Sequence, residues 1–441
     1  MFDRFSVPLR TVGYRLRGGF LVRPLAIALL LGAAGAFLSE FEEAFPAARS
    51  WVPLALFPSQ ADPQVAQTIL ATIATSTMTV VSIVFAILLM TLTLASTQFS
   101  PRILVNFVRD QATQWTLGMF LGTFCYCIAA LPAARSAPEP FVPVLTIAVA
   151  MALAPLCVSV LIYFIYHISN AISVNHIVDR IARETELVID ELMPEPRKPF
   201  QRAEIAGSFA GPLDVAITSQ RSGYIRFIDI ERLRALAKMY RVAIRIERRI
   251  GHFVPEGVPL MHLTRGDKIT AERRAALLSA IDLGPTRTLQ QDVEFGVVQI
   301  VDIGLRAISP AVNDPTTAIT CVDQLSSILI MWVCRVPPCG FYYDPPHVLR
   351  LAVPWIAFDG LLDLAFEQIR HYAAADAAVS LRLIRALSDI RVCANDPEIE
   401  AGLVTRGQKI ITGCTGKVEP TDLERLKSRL QGLEAAARSV T

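Results

Sequence analysis

Residues 68–100 read TILATIATSTMTVVSIVFAILLMTLTLASTQFS, and this stretch decides the class of the protein. It contains no Asp, Glu, Lys or Arg, and it exceeds the roughly 20 apolar residues that a bilayer-spanning helix needs. Its hydroxyl side chains recur at steps of four and three residues, which is the repeat of one helix face. This hydroxyl stripe comprises Thr68, Thr72, Thr75, Thr79, Ser82, Thr93, Ser96 and Ser100. Such a face predicts contact with something other than lipid.

Two interpretations of the hydroxyl stripe are open. Hydroxyls of a membrane helix can pack closely against another helix and form hydrogen bonds across the contact. They can also line a hydrated pore, since pore walls are built from polar groups that replace the water around an ion. The candidate pore-lining or helix-packing residues are Thr72, Thr75, Thr79, Ser82 and Thr93.

The composition supports a membrane protein with several spans. The 441 residues are 53% hydrophobic and only 19% charged. Apolar runs long enough to span a bilayer are predicted at about residues 20–39, 69–97, 114–134 and 141–168. A later run, Ile319 to Val333, is short and contains Asp323, so we expect a buried helix of a soluble region there.

Arginines beside the spans predict the orientation, because basic residues resist translocation. Five arginines precede or begin the first span, whereas the loop after that span is mainly acidic. The amino terminus is therefore predicted inside, and four crossings return the carboxyl-terminal region to the cytosol. A cleaved signal peptide is the competing interpretation of residues 1–38, but a clear small-residue cleavage site is not evident after Leu38.

The predicted spans carry no Asp, Glu, Lys or Arg well inside their apolar stretches. Intramembrane ionisable residues mark proton relays and ion-coupled carriers, so their absence argues against a secondary transporter. The function of an ion channel is still compatible with these spans. Gly118 and Gly122 form a small-residue motif that predicts close helix packing, either within the chain or between subunits.

The predicted fold class is a membrane α-helical domain with four transmembrane helices, followed by a cytosolic α+β module and a helical bundle. The predicted boundaries are a transmembrane domain at 1–168, a helical stalk and Pro-rich linker at 169–212, a small α+β module at 213–290 and a mainly helical module at 291–441. After Ile269 the pattern predicts helices almost to the end, with one extended stretch near residues 347–353.

The cytosolic region contains one dense set of polar residues. Gln299, Asp302 and Arg306 are spaced for one helix face, and Asn313 and Asp314 lie in the following loop. Asp314 before Pro315 is a typical helix N-cap, which gives the loop an ordinary structural role. The alternative is a ligand site, because a helix amino terminus offers free amide groups to an anion.

No metal site or cofactor is predicted. The eight cysteines lie in spans or in a reducing compartment, and their spacing does not match a zinc motif. Cys334 and Cys339 flank Val336-Pro337-Pro338, a spacing at which the two thiols could touch. Catalytic and nucleotide-binding motifs were not found, so we expect no enzyme activity. The net charge of +2 gives no indication of nucleic-acid binding.

The run from Val301 to Ala318, VDIGLRAISPAVNDPTTA, resembles the signature of a bacterial family of predicted membrane proteins described only as a domain of unknown function. The segments Gln98–Arg102 and Gly251–Gly257 are also similar to its pattern, although His252 stands where we expect an acidic residue. The resemblance therefore covers nearly the whole chain. It implies the multi-pass topology and a bacterial inner membrane, but it implies no activity and no catalytic residues.

Two functions are compatible with this sequence. The first is an oligomeric ion channel or pore in the lipid bilayer, gated by its cytosolic domain, with a small ion or small ligand as its partner. The second is a membrane-anchored cytosolic sensor or scaffold, in which the spans only hold and oligomerise the soluble region. Both interpretations predict a homo-oligomer.

Overall fold

The computed structural model of the chain consists of two compact units, Met1–Ser173 and Val174–Thr441. It describes residues 22–47, 62–98, 110–136, 140–171, 173–197, 209, 211–338, 340–345, 347–394 and 396–438. Several predicted features lie outside these ranges, namely the arginines before residue 22 and between the second and third spans, Ser100, Cys339 and linker residues 198–208.

The described residues of the first unit form four long helices: α1 (Val22–Ala44), α2 (Pro63–Gln98), α3 (Gln111–Ala130) and α4 (Val144–Ala171). Each overlaps one predicted span. Helix α3 begins where the Asp110 carboxylate accepts a hydrogen bond from the Thr113 amide, a typical N-cap. The predicted helical membrane region is therefore confirmed as a set of long apolar helices.

The helices of the first unit pack through two apolar clusters. One contains Leu70 of α2, Tyr126 of α3 and Ile147 of α4. The other lies nearer the opposite ends of the same helices and contains Val84, Phe120 and Phe164. Helices α1 and α3 share the most extensive contact in the unit. These two clusters thus determine which side of α2, of α3 and of α4 is buried.

The part of the second unit that the structure describes contains two sheets. Its strands are β1 (Leu213–Thr218), β2 (Gly223–Ile228), β3 (Ile244–Ile246), β4 (Phe253–Val254), β5 (Pro259–Thr264), β6 (Ile281–Gly284), β7 (Phe341–Asp344) and β8 (Val348–Ala352). Five of them form a sheet in the order β1-β5-β3-β8-β7, and the other three pair as β4-β2-β6. Most neighbours are antiparallel, but β3 and β8 run parallel. Strands from the predicted 213–290 and 291–441 modules therefore share one sheet.

Two strands occur where the sequence predicted helix. After Ile269 we expected one extended stretch, which is β8, but β6 and β7 are also strands. Both are only four residues long, so their own sequences carry little alternation. Strand β6 is held by pairing with β2, and β7 by pairing with β8. A partner distant in sequence therefore decided β6, whereas β7 forms a short hairpin with β8.

The remaining helices of the second unit are α5 (Val174–Leu192), α6 (Ile230–Tyr240), α7 (Ala271–Leu278), α8 (Val293–Ala307), α9 (Pro315–Val333), α10 (Phe358–Tyr372), α11 (Ala377–Cys393), α12 (Pro397–Cys414) and α13 (Pro420–Arg438). The predicted stalk helix is α5, and it contacts α8 and α9. Its buried side chains include Ile181, Thr185 and Ile189. The second unit is therefore an α+β region with many helices.

Five helices in the described ranges are long and apolar enough to cross a membrane. Four of them are α1 to α4, and the fifth is α9 of the second unit. Helix α9 contacts α5, α8, α10 and α11, and the Asp323 carboxylate pairs with the Arg382 guanidinium of α11. Length and composition alone therefore give one candidate span more than the sequence prediction.

Candidate functional site

The hydroxyl stripe of α2 lies on the outer surface of the first unit. Thr68, Thr72, Thr75, Thr79, Ser82 and Thr93 are all exposed. The side chains on the opposite face of the same helix are buried, among them Leu70, Ala74 and Val84. At 100° per residue the two faces are about half a turn apart. The stripe residues therefore do not pack against α1, α3 or α4 within the described part of the unit.

Every described stripe hydroxyl donates a hydrogen bond to its own helix. The acceptor is the carbonyl oxygen four residues earlier, at 2.6 Å for Thr72, 3.0 Å for Thr79 and 3.1 Å for Ser82. Thr68, Thr75 and Thr93 do the same. Because the hydroxyl proton is donated to the backbone, each oxygen keeps its two lone pairs as hydrogen-bond acceptors. The stripe is thus a row of hydrogen-bond acceptors.

Gly118 and Gly122, the small-residue motif of α3, pack against α1 of the same chain. A Cβ added at Gly118 would lie 2.6 Å from Ile27 Cδ1, and one added at Gly122 would lie 2.5 Å from Leu31 Cδ1. Helix α1 has its own small residue in this contact, since a Cβ at Gly35 would lie 2.6 Å from the Tyr126 carbonyl oxygen. Small residues on both helices allow α1 and α3 to approach closely. Within one chain, Gly118 and Gly122 already have a packing partner.

Glu42 is an important residue that the sequence analysis treated only as a loop charge. It is fully buried near the end of α1. Its carboxylate accepts hydrogen bonds from the Leu145 amide at 3.0 Å and from the Thr146 amide and hydroxyl at 3.2 Å each. These donors belong to the first turn of α4, where amides lack partners within the helix. A carboxylate from one helix therefore caps another.

At the other end of these helices, Asp110 and His167 form a second polar link. The Asp110 carboxylate accepts hydrogen bonds from the Thr113 amide at 2.9 Å and from its hydroxyl at 2.8 Å. The Nε2 atom of His167, on α4, lies 3.1 Å from Asp110 Oδ2. This contact joins the start of α3 to α4. In the sequence, the feature that could have indicated this contact is His167, a histidine inside an otherwise uncharged span.

The polar set of the second unit does not form one surface. Gln299 is buried, and its Oε1 atom has no hydrogen-bond partner among the described residues. Asp302 is half-buried and Arg306 is exposed, although all three lie on α8. All three residues have the spacing of one helix face, but α8 packs so that the Gln299 amide is buried and the Arg306 guanidinium is exposed.

Asp314 caps helix α9. Its carboxylate accepts hydrogen bonds from the Thr317 amide at 3.1 Å and from the Thr317 hydroxyl at 2.6 Å. These bonds hold the pKa of Asp314 below its usual range. The preceding residue, Asn313, is exposed and has a φ of 49°, a conformation that Asn tolerates better than most residues. The carboxylate thus occupies the first turn of α9.

A cleft of about 720 Å³ lies beside this cap. Asn313 and Pro315 line it, together with residues at the start of α11 and around the turn from α12 to α13. Its charged lining residues are Asp376, Lys417, Glu419 and Asp422. Arg306 is not among the lining residues. The excess of carboxylates opposes the anion site that the helix terminus alone would favour.

A second open groove, of about 700 Å³, is basic. It lies where α11 and α13 pack together, with Ile319 of α9 also contributing. The basic residues that line it are Arg382, Arg385, Arg425 and Arg429, against one acid, Glu424. Three of these arginines also pair with aspartates: Arg382 with Asp323, Arg385 with Asp389 and Arg425 with Asp422. This groove was not predicted from the sequence, because its arginines come from two helices about 40 residues apart. Within each helix, however, their spacing of three or four residues marks a common face.

The turn around His252 rests on a buried ionic cluster. Arg287 makes two hydrogen bonds of 2.8 Å to the carboxylate of Asp292, which is nearly fully buried. Burial and the nearby arginines lower the pKa of His252. Gly251 has a φ of 82°, and a Cβ there would lie 2.2 Å from Asp292 Oδ2. This turn therefore has a clear structural role in the second unit.

Within the described ranges, His, Cys, Asp and Glu side chains do not gather in threes in a way that could hold a metal ion. The main polar features of the described residues are the hydroxyl stripe, the two clefts and the ionic cluster around Asp292.

Comparison with known proteins identifies relatives over most of the chain. The family described as "Predicted membrane protein (DUF2254)" matches residues 17–389. A protein of Mycobacterium tuberculosis and one of Mycobacterium bovis, both described as uncharacterized, are 30% identical over 354 residues. The alignment covers 79% of this chain and 68% of each relative. No solved structure matches the chain.

Proposed function

The chain belongs to the DUF2254 family of predicted membrane proteins, and we propose that it forms an oligomeric ion pore lined by the hydroxyl stripe of α2. The observation that carries the proposal is the position of the stripe, opposite the packed face of α2. A second copy of the chain would bring two such faces together. Several copies around an axis would enclose a lumen lined by hydroxyl oxygens.

The stripe is better suited to a lumen than to a simple lipid contact. Along α2, residues 63–98 contain no charged side chain, so ions would not be trapped by a fixed charge. The hydroxyl protons are bound to backbone carbonyls, which leaves acceptor oxygens outward. Acceptor oxygens replace the hydration shell of a cation rather than that of an anion. The proposed pore is therefore selective for small cations.

The topology in this proposal has four crossings in a bacterial inner membrane, with the amino terminus and the second unit in the cytosol. Arginines before the first span and the acidic residues after it support this orientation. Helix α9 is assigned to the soluble region because its Asp323 pairs with Arg382 of α11 and because its Ser327 hydroxyl donates to Glu186 of α5. The second unit would gate the pore, and the proposal involves no catalytic step.

Purified protein in liposomes should carry K⁺ down a gradient in preference to Cl⁻. The combined substitution Thr79→Val and Ser82→Ala removes two stripe oxygens while leaving the buried face of α2 intact. If each lost oxygen contact is worth roughly 0.7 kcal/mol, K⁺ flux changes by on the order of tenfold. Potassium- and chloride-sensitive dyes would measure both fluxes.

Met78→Leu is the matched control, because Met78 is exposed on α2 but lies outside the stripe. It should leave the K⁺ flux unchanged. The pore proposal would be abandoned if folded protein carried no ions, or if the double variant and the control behaved alike. Preferential Cl⁻ flux would contradict the role given to the acceptor oxygens.

A membrane-anchored sensor or scaffold is the second candidate, and the arginine-lined groove of the second unit favours it. Guanidinium groups bind carboxylates and phosphates with two parallel hydrogen bonds. In this case the stripe holds subunits together, so Thr79→Val with Ser82→Ala should shift the protein toward monomers in mass photometry. Binding of pyrophosphate to the full chain should be retained. Loss of flux without any loss of association would count against the sensor.

A further inference from the structure

Cys334 and Cys393 lie at equivalent positions on two paired helices. Cys334 follows the last residue of α9, and Cys393 is the last residue of α11. The Asp323–Arg382 pair joins the same two helices. Cys334 comes 11 residues after Asp323, and Cys393 comes 11 residues after Arg382. Since 11 residues make about three helical turns, both cysteines return to the face that carries the ion pair.

This register requires α9 and α11 to run parallel, and contacts at both ends show that they do. At the amino ends, Pro315 of α9 and Ala377 of α11 line the same cleft. At the carboxyl ends, one residue joins both helices. The Arg197 amide donates to the Cys334 carbonyl oxygen at 2.8 Å, and the Arg197 guanidinium donates to Asp396 at 2.6 Å. The two cysteines therefore meet at a single junction.

The two thiols are neighbours and can be reached from solvent. Cys334 is exposed and Cys393 is half-exposed, whereas Cys321 and Cys414 of the same unit are buried. Burial of the sulfur raises the pKa of the Cys334 thiol, and the adjacent Cys393 thiol raises it further. At neutral pH the Cys334 thiol is therefore mainly protonated.

We propose that Cys334 and Cys393 are a reversible oxidation site that forms a disulfide with hydrogen peroxide. The Cys334 thiolate attacks one peroxide oxygen, the O–O bond breaks, and one water leaves a sulfenic acid on Cys334. The Cys393 thiolate then attacks that sulfur, the S–S bond forms, and a second water leaves. Two thiols lose two electrons in total, and the peroxide gains them. A dithiol reductant reverses the change.

The disulfide would cross-link the carboxyl ends of α9 and α11 beside residues that follow α5. There the Val336 amide donates to the Glu195 carbonyl oxygen at 3.0 Å, and Arg335 pairs with Asp190 of α5. Helix α5 follows the last membrane helix directly in sequence. Oxidation would therefore restrain the segment that connects the second unit to the last helix of the first unit in sequence. The inference does not depend on the pore proposal.

The test uses the purified full-length chain, first reduced and then treated with hydrogen peroxide. Two thiols per chain should become unavailable to maleimide, and dithiothreitol should restore both. After trypsin digestion, mass spectrometry should find the peptide ending at Arg335 linked to the peptide beginning at Val392. Because the pKa of Cys334 is raised from 9.0, the rate should increase about tenfold from pH 7 to pH 8.

Cys334→Ser and Cys393→Ser should each abolish this cross-link. In the Cys393→Ser variant, dimedone should trap the sulfenic acid on Cys334. Cys321→Ser is the matched control and should leave the cross-link at its original yield, since Cys321 is buried. A cross-link from Cys334 to Cys339 instead, or full retention of both thiols after oxidation, would overturn the proposal. Loss of two thiols in the Cys334→Ser variant would also overturn it.

Discussion

Replacing Gly35 with alanine should destabilise the first unit by about 2 kcal/mol or more, the cost typical of overpacking a tight contact. The new methyl group would lie 2.6 Å from the Tyr126 carbonyl oxygen and 3.1 Å from its Cα atom. Both are backbone atoms, so a side-chain rotation cannot relieve the clash. Helices α1 and α3 must separate instead. Thermal unfolding in detergent should show a midpoint lowered by about 4–8 °C.

Gly432→Ala is the control for this change. Gly432 is also a helical glycine, but an added Cβ there would meet open space. The substitution should stabilise α13 by roughly 0.5–1 kcal/mol, because alanine has the higher helix propensity. An unchanged midpoint for Gly35→Ala would mean that α1 and α3 do not approach as closely as the glycines imply.

The α1–α3 contact also bears on how subunits could assemble. Sequence analysis left Gly118 and Gly122 available for packing either within the chain or between subunits. In the structure, Ile27 and Leu31 of α1 occupy the space beside them. By contrast, Thr72, Thr75, Thr79 and Ser82 of α2 are exposed. In the proposed oligomer, a contact between subunits is therefore expected at α2 rather than at α3.

The membrane helices were predictable because their signal is local. A span needs an unbroken apolar run, and this can be read without knowing its neighbours. The predicted segment 69–97 lies within α2, and 141–168 differs from α4 by only a few residues at each end. The missed strand β6 is the opposite case. Ile281–Gly284 is a strand because β2 pairs with it, and no local pattern announces that partner.

The polar contacts of the first unit were hidden for a related reason. Glu42 looks like an ordinary acidic residue of a loop until α4 places its unpaired amides beside it. His167 lies in an apolar run, and only the start of α3 gives it Asp110 as a partner. The Cys334–Cys393 pair likewise depends on the parallel register of α9 and α11. Sequence spacing identifies faces of single helices, whereas these sites are formed between helices.

Glu42→Ala should strongly destabilise the first unit, because it removes the carboxylate that caps α4. It would leave the Leu145 and Thr146 amides of α4 buried without an acceptor. Each unsatisfied group costs about 1–3 kcal/mol, so a loss of about 2–6 kcal/mol is expected for the two amides. Glu42→Gln keeps one acceptor oxygen but loses the charge that favours the helix amino terminus. Its expected loss is about 1–2 kcal/mol.

The neighbouring Glu43 provides the decisive comparison, because the same Glu→Gln change can be made one residue away. Glu43 pairs with Arg135 at the surface, where both side chains are well exposed. An exposed ion pair contributes only about 0–1 kcal/mol, so Glu43→Gln should barely move the unfolding midpoint. Equal losses for Glu42→Gln and Glu43→Gln would show that the buried carboxylate does not cap α4. A larger loss at position 42, increasing again for Glu42→Ala, is the order that the hydrogen bonds require.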